Sequence, residues 1–133
     1  TADAREKHAA WEGQADVVMA DVPCSGLGII RKKPDIRYKN PKELAQLPLV
    51  QRAILENASG YVRPGGTLVY STCTVLPEEN EDVTGDFLDK HPEFEPVRTA
   101  FPLPVGPCPG QVTLWPQRHG TDGFYICRMR RKD

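Results

Sequence analysis

Apolar and polar positions change period several times along the chain. Residues 15–20, Ala-Asp-Val-Val-Met-Ala, are a short β-branched run ending at Asp21, which predicts a buried parallel strand. Pro23, Gly26 and Gly28 then break regular structure, and a polar loop runs to about Pro41. Leu47, Val50, Ile54, Ala58 and Val62 recur at helical steps and give one apolar face. Pro48 suits a first turn better than a helix interior. The helix is therefore placed at about 48–61, with Lys42–Gln46 as a separate turn before it. Pro64-Gly65-Gly66 should end it and turn the chain, and Thr67–Ser71 is the second strand, closing at Thr72-Cys73. Pro77, with Glu78 and Glu79 behind it, marks a helix start, and that helix runs to about His91. The proline-rich stretch 92–110 reads as an irregular connection. Gln111–Trp115 predicts a short strand and 123–129 a better one. In the latter, Phe124, Ile126 and Arg128 share one face and Tyr125, Cys127 and Met129 the other.

The order is β-loop-α-β-α-β-β. A helical crossover makes the first two strands parallel neighbours, and the closing pair forms an antiparallel hairpin at the sheet edge. This is half of a three-layer α/β sandwich, without the strands that would complete the sheet. The 133 residues suffice for one domain, and 39% hydrophobic with 26% charged residues fits a soluble globular chain. No apolar run approaches the roughly 20 residues that span a bilayer, so no membrane is expected. The opening Thr1-Ala2-Asp3-Ala4 reads as the interior of a longer protein.

The chemistry lies at the two strand ends. Asp21-Val22-Pro23-Cys24-Ser25-Gly26 and Tyr70-Ser71-Thr72-Cys73-Thr74 each place a cysteine where an apolar run turns polar. Ligands of a parallel sheet sit at the carboxyl ends of its strands. Singly, each cysteine reads as a small buried hydrophobe. At equivalent strand ends, with Asp21 three residues before Cys24, the pair points instead to nucleophilic chemistry. Cys73 also precedes the Pro77 helix start, whose dipole favours an anion. Asp21 itself needs a donor or ligand at the end of an apolar strand. Cys108 and Cys127 read as structural, and His8 and His91 as surface residues. His119 reads as a turn contact. The absence of a C-x-x-C pair argues against a metal site, and the default is reduced thiols in the cytoplasm. The net charge of −1 gives no global field for nucleic acid. Locally, Arg31, Lys32, Lys33, Arg37, Lys39 and Lys42 face Asp35 alone, directly after the first cysteine motif. A basic loop at the rim of a reactive site suits a phosphate-bearing substrate.

The two cysteine motifs, Pro34-Asp35-Ile36, Gly65-Gly66-Thr67-Leu68-Val69, Pro77-Glu78-Glu79-Asn80-Glu81 and Asp122-Gly123-Phe124 together resemble the RNA cytosine-C5 methyltransferases. Within these, they are most similar to the bacterial small-subunit methyltransferase B (Sun/Fmu) branch. The order and spacing hold over nearly the whole chain, with Val22 where alanine is usual and Tyr125 where phenylalanine is common. The resemblance implies the C-terminal half of a Rossmann-like, S-adenosylmethionine-dependent methyltransferase: a three-layer sandwich with a mostly parallel sheet and an antiparallel edge hairpin. Residues 1–133 would be a partial catalytic domain lacking the glycine-rich N-terminal half. Gly26, Gly28, Gly65 and Gly66 do not supply the missing cofactor turn, so the S-adenosylmethionine site is expected to be incomplete and the chain alone inactive. The implied catalytic residues are Cys73, which attacks C6 of a cytosine in 16S ribosomal RNA, Cys24, which assists elimination, and Asp21. Asp3, Asp21 and Pro23 would contact the cofactor. Arg31, Lys32 and Lys33 are the candidates for RNA phosphates. A cytoplasmic monomer is expected. Two alternatives compete: a DNA cytosine-C5 methyltransferase, in which the Pro-Cys thiol attacks, and a non-catalytic RNA-binding module.

Overall fold

A computed structural model describes residues 2–133. Strand β1 (Ala15–Asp21) leads into a long loop containing a 3-10 turn at Pro34–Tyr38. Helix α1 (Pro41–Tyr61) passes directly into β2 (Val62–Thr72). A 3-10 turn at Pro77–Glu79 precedes α2 (Glu81–Lys90). Short strands β3 (Phe94–Pro96), β4 (Thr99–Ala100), β5 (Pro107–Cys108) and β6 (Gln111–Leu114) follow. A single helical turn, α3 (Pro116–His119), leads to the closing strand β7 (Phe124–Arg131).

The main sheet has the order β1-β2-β7-β3, with β6 also pairing β7. The β1–β2 pair is parallel, as the helical crossover requires. The β6–β7 hairpin is antiparallel and shares the sheet's far edge with β3. The alternation expected in the last strand holds. Tyr125, Cys127 and Met129 are fully buried, while Phe124, Ile126 and Arg128 on the other face are partly exposed. The buried face joins Leu68 and Tyr70 of β2, Ala20 of β1, Leu55 and Ala58 of α1, and Val83 and Phe87 of α2 in one core. Helices thus cover one face of the sheet. On the other, Val17 is 63% and Met19 70% exposed. Among the described residues, the outer edge of β1 has no partner strand.

Four expectations are corrected. Helix α1 is one 21-residue helix with Pro48 inside it. The start assigned to Pro48 belongs to Asn40, whose side chain accepts from the Lys42 N–H, and to Pro41 at the first turn. An interior proline costs roughly 3 kcal/mol of helix propensity. Burial of Gln51, Leu55, Ala58 and Ser59 along the same helix offsets this. Pro64-Gly65-Gly66 lies within β2 rather than in a turn, because a register irregularity against β1 absorbs the extra residues: Ala15 pairs with Val62, but Val17 with Thr67. Gly65 takes the left-handed conformation that this needs, at φ 76°. The helix expected from Pro77 to His91 is split at Asn80 into the 3-10 turn and α2. The stretch 92–110 is not wholly irregular: β3 joins the main sheet and β4–β5 form a small hairpin of their own. Of its prolines, Pro96 and Pro107 lie at strand ends and the others in the connections between strands, where a missing N–H costs little.

The structural cysteines are buried as expected, with burial pushing the Cys127 thiol up to about 11. His119 serves its turn, its Nδ1 accepting the Trp115 N–H. His91 departs from expectation. It stacks on Phe87 at 4.4 Å and lies between Glu93 and Glu56, at 2.9 and 2.8 Å. Burial alone would lower its pKa, but hydrogen bonds to Glu93 and Glu56 outweigh this and raise it. A histidine whose folded pKa is raised stabilises the fold below its unfolded value, and that contribution is lost as pH rises through the folded value. The stability difference between the natural chain and His91→Gln, measured by urea unfolding, should therefore be largest near about pH 5.5 and shrink toward about pH 8.5. A difference that stays constant across this range would rule out the Glu56–His91–Glu93 linkage.

Candidate active site

The parallel register sets Asp21 opposite Ser71, and the Val22 N–H continues the ladder to the Ser71 carbonyl. The loops beyond these residues therefore leave the sheet side by side. Their cysteines meet: Cys24 Sγ and Cys73 Sγ are 2.9 Å apart, and the Cys73 N–H donates to Cys24 Sγ at 3.2 Å. Both thiols are half-buried. Burial first, then the hydrogen bond with Cys73, pushes the Cys24 thiol up to about 12, so it stays protonated at neutral pH. The expected help from a helix N-terminus is not found at Cys73. The helix is interrupted at Asn80, and the hydrogen bonds that Cys73 makes run to Cys24 and Gly28.

The thiols open into a cavity of about 530 Å³, walled opposite by Ile29, Pro34 and Ile36 and rimmed by Lys32, Lys33 and Lys39. Two glycines make this arrangement possible. Gly28 N–H donates to the Cys73 carbonyl at 2.9 Å, and Gly123 N–H donates to the Gly28 carbonyl at 2.7 Å. A Cβ on Gly28 would lie 2.0 Å from the Gly123 oxygen, so the two backbones meet where no side chain fits. The entrance to β7 is thereby locked onto both cysteine loops.

Asp122, buried beside Gly123, closes the same junction. Lys32 Nζ and Arg31, the latter at 3.4 Å, both bind its carboxylate. The hydrogen bond from Lys32, with the nearby Arg31 charge, lowers its pKa. Two of the three predicted phosphate-binding cations thus already have a protein partner, although both side chains stay largely exposed. Lys33 is exposed at the cavity rim. Lys39, not selected from the sequence, also lines the cavity and donates to the Ser25 carbonyl at 3.0 Å.

The predicted cofactor residues do not gather with the thiols. Asp21 is exposed and accepts the Ser71 hydroxyl at 3.0 Å. Pro23 is exposed, and its carbonyl accepts from Gln51 Nε2. Asp3 lies beside a separate cavity of about 320 Å³ with Trp11, Val18, Met19 and Tyr61. Its carboxylate is held by Arg5 at 2.6 Å, which lowers its pKa to about 2. Among the described residues the hydrogen bonds of these carboxylates run to Arg5 and Ser71, and both carboxylates are exposed, so they could face one side of such a cofactor. Among the described residues no cluster of His, Cys, Asp and Glu could hold a metal.

Sequence reasoning missed the buried polar residues behind the thiols: Ser25, Gln51, Thr72, Thr74, Glu79 and Asn80. The signals were the cysteine motifs themselves, which contain Ser25, Thr72 and Thr74, and the Pro77-Glu78-Glu79-Asn80 run, which reads equally well as a charged helix start.

Comparison with known proteins identifies the family. A family model described as 16S rRNA methyltransferase RsmB/F matches residues 1–130. The probable ribosomal RNA small subunit methyltransferase B of Bacillus subtilis is 44% identical over 99% of the chain, which spans 31% of that protein. The crystal structure of PH0851 superposes with a TM-score of 0.86 at 36% identity, covering 98% of this chain and 30% of that one. NSun6 from Pyrococcus horikoshii, solved with SFG, has a TM-score of 0.70 at 26% identity, covering 99% of this chain and 34% of that one. The chain thus spans about a third of the relatives it matches. The match over residues 1–130, on the fold and paired thiols described above, means that the chain belongs to the 16S rRNA methyltransferase RsmB/F family.

Proposed function

We propose that this chain carries the base-reacting part of an enzyme that methylates C5 of a cytosine in 16S ribosomal RNA. The observation that carries this reading is the contact between two thiols, 2.9 Å apart, at the mouth of a cavity with a cationic rim. Cytosine is a poor nucleophile at C5. A bond from Cys73 sulfur to C6 turns C5 into an enamine-like carbon that can accept a methyl group. Loss of the C5 proton and cleavage of the S–C6 bond then release the product. Asp3, Asp21 and Pro23 would hold S-adenosylmethionine, which when bound would supply the methyl group and leave as S-adenosylhomocysteine. The nearest support for this donor is the relative solved with SFG, an analogue of it.

Cys24 suits the helper's role better than the attacker's. Its thiol holds its proton, and a protonated thiol beside Cys73 can donate a hydrogen bond to the thiolate as it forms and again as it leaves. In the RNA reading the Thr-Cys thiol, Cys73, attacks; in the DNA alternative the Pro-Cys thiol, Cys24, attacks. The target base must leave any stack to enter the cavity, as in other base-modifying enzymes. The phosphates beside it would exchange Asp122 for themselves at Arg31 and Lys32, with Lys33 free to contact them directly. The enzyme acts in the cytoplasm, on RNA of the small subunit.

Three experiments test this reading. In the full-length protein, Cys73→Ser should abolish methyl transfer, whereas Cys24→Ser should accumulate a covalent RNA–protein adduct visible on a denaturing gel. Transfer that survives Cys73→Ser would end the proposal. Charge reversal at Arg31, Lys32 and Lys33 should weaken RNA binding and flatten its salt dependence, by about one unit of slope per lost phosphate contact. Unchanged binding would remove these residues from the interface. Residues 1–133 alone, as the C-terminal part of a catalytic domain, should show no measurable heat on titration with S-adenosylmethionine. Tight binding would overturn the incomplete-site reading.

A further inference from the structure

We propose that Glu79 and Asn80 are positioning residues for the two thiols, a clamp in which one turn of chain sets the separation of Cys24 and Cys73. The two residues are consecutive, and they are 2% and 0% exposed. Each binds the neighbours of a different cysteine. Glu79 Oε1 accepts the Ser25 N–H at 2.8 Å, and Oε2 accepts the Ser25 hydroxyl at 2.6 Å. Gln51 Nε2 donates to Glu79 Oε1 and to the Pro23 carbonyl, both at 3.0 Å. Cys24 is thus held from both sides, through Pro23 and Ser25. Asn80 Oδ1 accepts the Thr72 hydroxyl at 2.6 Å, and Asn80 Nδ2 donates to the Thr74 carbonyl at 3.0 Å. Cys73 is held in the same way, through Thr72 and Thr74. The two halves also touch, with the Ser25 and Thr74 hydroxyls 2.9 Å apart.

The turn itself is anchored. Tyr70 donates its hydroxyl to the Glu79 carbonyl, and the Asn80 N–H donates to the Pro77 carbonyl at 3.1 Å. The Asn80 carbonyl accepts the Val83 and Thr84 N–H groups that begin α2. Asn80, at φ −114° and ψ −98°, is outside the helical region, and the helix is interrupted there.

Burying a carboxylate and a carboxamide in a core is costly unless every oxygen and N–H finds a partner, and apolar residues of the same volume often stabilise as well or better. Here the cost falls on a turn that reaches both cysteine loops. None of the hydrogen bonds of Glu79 or Asn80 runs to a sulfur, so their effect on chemistry acts through geometry. A displacement of about 1 Å in a reacting group costs as much as a hundredfold in rate.

The test uses the full-length protein. Its kinetic arm rests on the methyl-transfer reading, but its thiol arm does not. In glutathione buffers the Cys24 and Cys73 thiols and one glutathione disulfide exchange to give a Cys24–Cys73 disulfide and two glutathione thiols. Alkylation trapping and mass spectrometry read this equilibrium, which responds to how the two sulfurs are held. Asn80→Asp keeps the acceptor for Thr72 but loses the donor to Thr74. Thr72→Val removes the Thr72 donor, and Thr72→Ser restores it. Glu79→Gln perturbs the Cys24 side. In variants that retain the natural melting temperature to within a few degrees, Asn80→Asp, Thr72→Val and Glu79→Gln should shift the equilibrium constant by about tenfold or more. They should also lower kcat about ten- to a hundredfold, with the KM for RNA little changed. Thr72→Ser should return both to natural values. If Glu79→Gln does not fold, Asn80→Asp and Thr72→Val decide the matter. An unchanged thiol equilibrium in these folded variants overturns the clamp. A shifted equilibrium together with methyl transfer that survives Cys73→Ser would instead leave the clamp standing and overturn the proposed reaction.

Discussion

The parallel pairing of β1 with β2 is the constraint on which the rest of the structure depends. Its register, with Ala20 opposite Tyr70 and Asp21 opposite Ser71, brings two distant cysteine motifs to one place. A slip of one residue would move each partner by about 3.3 Å along the strand and turn its side chains to the opposite face. The thiols would then separate, and Leu68 and Tyr70 would leave the core. The irregularity between Ala15 and Val17 permits this register. By absorbing Pro64-Gly65-Gly66 at the far end of the pair, it lets α1 run straight into β2 while the chemically important end stays regular. Backbone freedom is thus spent where nothing reacts.

A second constraint fixes the loops once the strands have placed them. Gly28, Gly123 and Cys73 meet backbone to backbone, and Asp122 draws Lys32 and Arg31 toward the same point. The long loop after Cys24 would otherwise be free over many residues. Tied at Gly28 and again at Asp122, it becomes the wall of a defined cavity. The same contacts make the last strand part of the site, although it contributes no reacting group. This accounts for the Asp122-Gly123-Phe124 run, which means little when read alone: one residue supplies charge, the next the absence of a side chain, and the third starts the strand.

Much of this was legible in the sequence. The strand ends, the parallel neighbours, the edge hairpin and the alternation of Tyr125, Cys127 and Met129 follow from period and punctuation. So does the placing of Cys24 beside Cys73. What failed was local reasoning about residues whose surroundings decide their role. Pro48 reads as a helix start because the offsetting burial of Gln51 and Leu55 is tertiary. Glu79 reads as a helix-start carboxylate because a charged side chain looks the same in sequence whether water or Ser25 surrounds it. Arg31 and Lys32 read as free cations because Asp122 is far away in the chain. In each case the missing information was a long-range partner, which periodicity does not encode.

The two halves of the proposed reaction would therefore be unevenly built in this chain. The groups that hold the thiols include Ser25, Gln51, Thr72, Glu79, Asn80 and the glycines at 28 and 123, and most of these are buried and mutually bonded. Such a site is rigid because its supports are locked by packing as well as by hydrogen bonds. The groups expected to face the methyl donor are different: Asp3 and Asp21 are exposed, and among the described residues the Asp3 carboxylate is bound by the neighbouring Arg5. They lie toward the side of the sheet where β1 has an open edge and Val17 and Met19 stand uncovered. Exposed apolar side chains in a row beside an unpaired strand edge are ordinarily covered in a finished domain. The same surface that would complete the sheet would then also convert two solvated carboxylates into ligand contacts. The geometry of the paired thiols is thus set by residues of this chain, whereas Asp3 and Asp21 stand beside an open strand edge.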